Sequence, residues 1–171
     1  MSPPAEAMSG AATPSGYAQR LAEFMSQLAL GAAVIAPPVL RLALAVPFFK
    51  SGLTRWDGFL SLAPSAAYLF EEEFKLHIFG GVYDFPFPDA VAYLVGSAEI
   101  FLPILLVLGL ATRFAALGLL AMTAVIQLVL PDGWANFHLP WAGLALAIIA
   151  LGPGRLSLDA IIARNQNLAK R

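Results

Sequence analysis

Four apolar stretches separated by polar turns occupy most of the chain after about residue 37. The clearest is AVAYLVGSAEIFLPILLVLG, from Ala90 to Gly109, whose length suits a helix that crosses about 30 Å of hydrocarbon. Comparable runs follow at 114–130 and 134–151, and a shorter one precedes it at 38–53. The pattern predicts an all-α membrane protein, a four-transmembrane-helix bundle that covers residues 21–156.

The segments outside these spans differ in polarity. Residues 1–20 are rich in Pro, Ala and Ser and predict a disordered N-terminal tail. Residues 21–36 predict an amphipathic lead-in helix, which the Pro37-Pro38 pair breaks or kinks before the first span. Residues 157–171 predict a cytoplasmic amphipathic tail, with Ser157 as a plausible N-cap.

The connection at 54–89 is too polar to span a membrane and too aromatic for a plain linker. Aromatic rings are enriched at the boundary between membrane and water, where they anchor a protein. We expect an outer loop that caps the bundle, with a short helix through Ala66–His77. Loops of this length often carry function.

Composition agrees with a membrane protein and excludes several classes of chemistry. The chain has 171 residues, of which 59% are hydrophobic and 12% charged, about half the charge of a soluble domain. The net charge of -1 gives no reason to expect nucleic acid, which leaves the lipid bilayer as the first partner. The absence of cysteine excludes disulfides, thiol catalysis and iron–sulfur ligation.

The distribution of charge predicts an orientation. Acidic residues dominate the outer loop, whereas the basic residues cluster on the other side of a four-span arrangement. By the positive-inside rule, both the N- and the C-terminus are cytoplasmic, in a multi-pass protein of the cell inner (plasma) membrane. The basic residues on that side are Arg20, Arg113, Arg155, Arg164, Lys170 and Arg171.

One acid, Glu99, lies near the middle of the second span. A carboxylate at that depth is costly and usually faces protein or a water-filled cavity. At about 1.5 Å per residue, Lys50 of the first span matches its depth, with Arg41 as the alternative partner. Either cation would lower the cost of burying the carboxylate, and without one the acid is expected to be protonated. The three residues form a candidate proton or ion-pair site.

A second polar cluster lies near the outer ends of spans three and four. It is open to two interpretations: a pocket for a quinone headgroup, or hydrogen bonds between helices combined with an aromatic belt. His77 and His138 are weak candidates for a metal or a bis-histidine haem, because strong metal motifs fix the spacing of their ligands. The candidate quinone pocket consists of Gln127, Asn136, His138 and Trp141.

Several motifs together resemble the DoxX family of small four-helix membrane proteins. They extend from about residue 40 to residue 162. The matching stretches are LRLALAVPFFKSGLTRW (Leu40–Trp56), AEIFLPILLVLGLATR (Ala98–Arg113), MTAVIQLVLPDGW (Met122–Trp134) and GPGRLSLD (Gly152–Asp159).

The resemblance implies a setting in redox or stress chemistry. Related members include a subunit of an archaeal thiosulfate:quinone oxidoreductase, a component of an oxidative-stress complex with superoxide dismutase and a sulfurtransferase, and proteins beside enzymes that modify metal-binding peptides. It therefore implies an accessory or anchor subunit, not catalytic alone, with protein partners or a second copy. The alternatives are a quinone-binding subunit of a membrane oxidoreductase and a small transporter. By position, the candidate residues are Arg41, Lys50, Arg55, Glu99, Gln127 and His138.

Overall fold

The computed structural model describes residues 16–169, so residues 1–15 of the predicted tail, and residues 170–171, lie outside the described part. Helix α1 spans Gly16–Leu53, which means that residues 16–20, expected in the disordered tail, are helical. The chain divides into two compact units, of which the first ends at Ala33 and the second begins at Val34. The described residues of the first unit, 16–33, form the beginning of α1.

The break expected at Pro37-Pro38 is wrong. Both prolines, and Pro47, lie inside α1 without ending it. Each removes one backbone hydrogen bond, but an apolar helix that packs against its neighbours tolerates such a loss.

The outer loop contains more structure than the predicted short helix. The helix ends before His77, which lies on a strand, and the all-α prediction omits two antiparallel hairpins. Strands of two or three residues are too short to show an alternating pattern. The hairpin turns place the non-glycine residues Leu60 (φ 56°) and Phe79 (φ 49°) in the left-handed region, and Gly80 (φ 82°) follows Phe79. The elements are β1 (Trp56–Gly58), β2 (Ser61–Leu62), α2 (Pro64–Tyr68), a π-helical turn (Leu69–Glu73), β3 (Leu76–Ile78) and β4 (Gly81–Tyr83).

The remaining spans begin and end within about one helical turn of the predicted bounds. Together with α1, they make four helices in residues 16–169 that are long and apolar enough to cross a membrane. The fourth begins with a 3-10 turn and a π-helical turn and continues as α5. The bounds are α3 (Pro88–Leu108), α4 (Thr112–Val129), the 3-10 turn (Pro131–Gly133), the π-helical turn (Trp134–His138) and α5 (Leu139–Leu151).

These helices share one apolar core. Alanines on α1, α4 and α5 let the helix backbones approach closely, as is typical of packing between membrane helices. The buried core residues are Leu44, Ala45, Phe48, Leu106, Ala115, Ala116, Leu119, Ala145 and Ile148.

The C-terminal helix α6 (Leu158–Ala169) begins as the sequence predicts, with Ser157 accepting a hydrogen bond from the backbone N–H of Ala160 at 3.1 Å. Asp159 then joins α6 to the turn between α3 and α4. Its backbone N–H donates to the Gly109 carbonyl at 2.9 Å.

The Asp159 carboxylate caps the N-terminus of α4. It accepts the backbone N–H groups of Ala111 (2.9 Å) and Thr112 (3.0 Å) and the Thr112 hydroxyl (2.8 Å). These N–H groups have no partner within α4, so the carboxylate supplies what the first turn of a helix lacks.

Arg41 belongs to this end of the bundle, and its expected pairing with Glu99 is wrong. Its Nη2 donates to the Leu156 carbonyl at 2.5 Å and its Nε to the Pro37 carbonyl at 3.4 Å. Gly109, at φ +68°, lies so close that an added Cβ would overlap the guanidinium. Arg41 is therefore level with the α3–α4 turn, about 15 Å along α3 from Glu99.

Candidate functional site

Glu99 is buried on α3, with 2% of its surface exposed. Each carboxylate oxygen has one partner: Arg55 Nε lies 3.2 Å from Oε2, and the Ser51 hydroxyl donates to Oε1 at 2.9 Å. At about 1.5 Å per residue, Glu99 lies roughly midway along the 21 residues of α3. The ion pair is thus placed where an unpaired charge would be most costly.

The expectation that Lys50 pairs with Glu99 is wrong, because the depth of a residue in the membrane does not fix the direction in which its side chain points. Depth is nearly right, since an added Cβ on Gly52, two residues beyond Lys50, would lie 2.9 Å from Glu99. Successive residues of a helix point about 100° apart, however, and it is Ser51 that faces Glu99, while Arg55 reaches the carboxylate from the turn that follows α1. Lys50 is exposed and borders a separate apolar groove on α1 and α3.

Arg55 is also held from the outer loop. Its guanidinium carbon lies 5.4 Å from the ring centroid of Phe70 and 5.6 Å from that of Phe74. A guanidinium over an aromatic face is attracted by the ring quadrupole. The π-helical turn after α2 therefore helps the Glu99 carboxylate to fix the direction in which Arg55 points.

A cavity of about 600 Å³ opens beside this pair. Its volume lies in the range of sites that enclose a small organic ligand. The walls are mainly apolar, and aromatic rings from the outer loop and α5 line one part of them. The polar lining consists of Ser51, Arg55, Glu99 and His138, and the aromatic lining of Phe70, Phe74, Phe85, Phe137 and Trp141.

His138 brings the second predicted cluster into the same cavity. It is 2% exposed, and its Nδ1 lies 2.6 Å from Gln127 Oε1, while Gln127 Nε2 donates to the Pro131 carbonyl at 3.0 Å. Because the Gln127 oxygen accepts, Nδ1 donates, and in a neutral ring Nε2 is then the acceptor. Trp141 packs beside the imidazole, 5.7 Å between ring centroids.

The other members of the predicted cluster have different places. Gln127 orients His138 but does not line the cavity, and Asn136 is exposed and does not line it either. His77 is exposed on β3, with Nδ1 3.1 Å from the Leu128 carbonyl, so it does not join His138. Within residues 16–169, no group of three or more His, Cys, Asp or Glu side chains is placed to hold a metal ion.

Ser51 and the aromatic rings of the loop are site residues that the sequence interpretation missed. Ser51 is the neighbour of Lys50, at the depth predicted for the partner of Glu99, and that position was the available signal. Arg55 lies in the turn after α1, which ends at Leu53, as the predicted end of the first span implies. For Phe70, Phe74 and Phe85 the sequence offered only their aromatic character.

Within residues 16–169, four apolar helices and a buried ion pair define the class, a multi-pass helical membrane protein. The sequence model of the DoxX family matches residues 36–132, more than half of the chain, and the protein belongs to the DoxX family. The matched range includes Ser51, Arg55 and Glu99 and ends before His138.

Comparison with individual proteins adds one relative. A protein of Haemophilus influenzae described as uncharacterized is 29% identical over 141 residues, which cover 74% of this chain and 82% of that protein. No solved structure matches the chain.

Proposed function

We propose that the cavity binds the headgroup of a quinone, and that the protein serves a membrane redox pathway as a quinone-binding accessory subunit. The observation that carries the proposal is the cavity itself: about 600 Å³, apolar, with an ion pair and a buried histidine in its wall. A quinone is a flat apolar ring with two polar oxygens, which is the chemistry such a wall recognises.

Each polar side chain then has a distinct task. Arg55 uses Nε for Glu99, and no hydrogen bond among the described residues occupies its terminal nitrogens, which are donors suited to a carbonyl oxygen. His138 offers the complementary acceptor at Nε2, which takes a proton from the hydroxyl when the partner protein oxidises the reduced ring, and returns it when the ring is reduced again. Glu99 keeps Arg55 in position and balances its charge, so the site favours a neutral ligand over an anion.

We assign electron transfer to a partner protein, because the cavity residues of this chain have roles only in binding the ligand and in exchanging its proton. The basic residues favour cytoplasmic termini and an inner (plasma) membrane location. With that orientation, the cavity lies in the outer half of the bilayer.

A simple docking anchor is the second candidate function. It is favoured by Phe59 and Phe79 at the tips of the two hairpins, whose side chains are 95% and 107% exposed. Exposed apolar side chains of this kind are typical of interaction sites. A pure anchor needs no ligand in the cavity, so the following titration separates the two functions.

The proposal predicts saturable quenching of Trp141 by a quinone. We expect the full-length protein in lipid nanodiscs to show it, and Trp141→Phe to lose the saturable component, because Trp141 lines the cavity. Glu99→Gln, which frees Arg55 from its position, is expected to weaken binding by about tenfold, the loss of one charge-assisted hydrogen bond.

Lys50→Gln is the control, since it also replaces a charged side chain by Gln, and Lys50 is exposed on α1 and outside the cavity. Its affinity is expected to stay within about twofold of the unaltered protein. Quenching that never saturates, or affinity that is the same in Glu99→Gln and in the unaltered chain, would contradict the proposed function.

A further inference from the structure

We infer that the ligand enters sideways from the bilayer, through a portal between α3 and α4, and that its long apolar tail stays in this portal while the headgroup occupies the cavity. The inference rests on the proposed function and narrows the ligand class to quinones that carry a long hydrocarbon tail. We define the portal by Leu94 and Ala98 on α3 and by Ala121 and Val125 on α4.

The lower edge of the portal is a close contact between the two helices. At Gly118 of α4, an added Cβ would lie 2.8 Å from Leu102 Cδ1, so here the helices touch and leave no passage. The helices α3 and α4 are joined by a very short turn and run antiparallel. Toward the outer end, Ala98 and Leu94 lie one and two turns beyond Leu102 on α3. They face Ala121 and Val125, which lie one and two turns beyond Gly118 on α4, and these four are the portal residues.

The portal residues belong to the cavity wall and to the outer surface of the bundle at once. All four line the cavity. Leu94 is 70% exposed and Val125 41% exposed, and Ala121 is also exposed. A side chain that contacts both the interior space and the surroundings marks an interruption in the wall. In a bilayer, those surroundings at the level of α3 and α4 are lipid chains.

Small side chains keep this interruption open. Ala98 and Ala121 carry only a methyl group at the level where two larger side chains would meet and close the gap. Towards the outer end, the cavity is instead covered by Phe70, Phe74 and Phe85 of the outer loop. The apolar edge of the portal accepts hydrocarbon and offers nothing to a hydrated ligand.

The volume of the cavity determines which ligand needs the portal. About 600 Å³ encloses a substituted ring but not a long polyisoprenoid chain as well. A tailed ligand whose ring reaches Arg55 must therefore leave its tail in the portal. The first methylene groups of the tail then pack against the apolar side chains of the portal.

The test compares a tailless methoxybenzoquinone with the same ring bearing a polyisoprenoid tail, both titrated by Trp141 quenching in nanodiscs. The portal variant is Ala121→Phe/Val125→Phe, which fills the gap without adding a tryptophan. The control variant is Ala124→Phe/Leu117→Phe, on the same helix at exposed positions outside the cavity lining. We expect the portal variant to lose about tenfold more affinity for the tailed quinone than for the tailless one, because the two added rings occupy the space that the tail needs.

The outcomes separate the portal from the site. If the unaltered protein binds neither quinone, the proposed function fails. If it binds both, and the portal variant binds the tailed quinone as tightly as the control does, the portal is overturned while the site stands. An equal loss for both quinones would likewise overturn the portal, because it would show that residues 121 and 125 shape the headgroup site itself.

Discussion

Arg55→Met is expected to destabilise the protein by about 3 kcal/mol, because it leaves the Glu99 carboxylate in the interior without its cation. The double variant Arg55→Met/Glu99→Gln is expected to recover most of that loss. A neutral amide keeps a hydrogen bond to Ser51, and an apolar side chain of similar length fills the space under Phe70. The free energy of unfolding in mixed detergent and SDS micelles measures both.

The control for Arg55→Met is Lys50→Met, a cation-to-methionine change at an exposed position of α1, five residues earlier in the chain. It is expected to alter the free energy of unfolding by no more than about 0.5 kcal/mol. If the double variant is as unstable as Arg55→Met alone, the two side chains are not coupled. The ion pair between α1 and α3 would then not be what stabilises the polar wall of the cavity.

Asp159→Ala is expected to cost about 2 kcal/mol at neutral pH, because it removes the carboxylate that accepts the Ala111 and Thr112 N–H groups at the start of α4. The same change releases α6 from the α3–α4 turn. Thermal unfolding in detergent checks the loss, with Asp57→Ala as the control, an exposed acid on β1. A melting temperature for Asp159→Ala equal to that of the control would contradict this role.

The effect of Asp159 is expected to depend on pH. Burial raises the pKa of Asp159, but the hydrogen bonds from Thr112 and Ala111 and the charge of Arg41 outweigh it, and the pKa is held below its ordinary value of 3.8. Since the pKa is lower in the folded than in the unfolded chain, the stabilisation is complete above about pH 3.8 and is lost as the pH falls through the folded pKa. The difference between the unaltered protein and Asp159→Ala should therefore narrow only in acid.

The spans could be predicted from the sequence because each depends on composition along one continuous stretch. The partner of Glu99 could not, because it depends on rotation about the axis of another helix. Depth counted in residues brought Lys50 to the right level, and one residue further along, Ser51 faces the acid instead. Arg55 was among the candidates by position only, because it lies in the turn after the first span, where helical spacing does not say where a side chain points.

The cavity could not be predicted from the sequence for a related reason. The Glu99 and His138 clusters lie on different spans, and nothing in the order of residues says how far apart two helices stand or which faces meet. Gln127 and His138 form a hydrogen bond between helices, as one of the two interpretations expected. The same bond orients the His138 ring in the wall of a cavity large enough for a small ligand. The role of Asp159 could not be predicted either. It lies in a short C-terminal tail, and its contacts with Ala111 and Thr112 leave no periodic pattern in the sequence.

Photolabelling with an azido-substituted quinone in nanodiscs tests the central claim most directly, because it reports where the ligand lies as well as whether it binds. The site predicts saturable labelling of peptides from residues 94–102, 118–130 and 137–141, prevented by an excess of the unlabelled quinone. Labelling that excess quinone does not prevent, or that is confined to the Lys50 groove or the hairpin tips, would contradict a quinone site in this cavity.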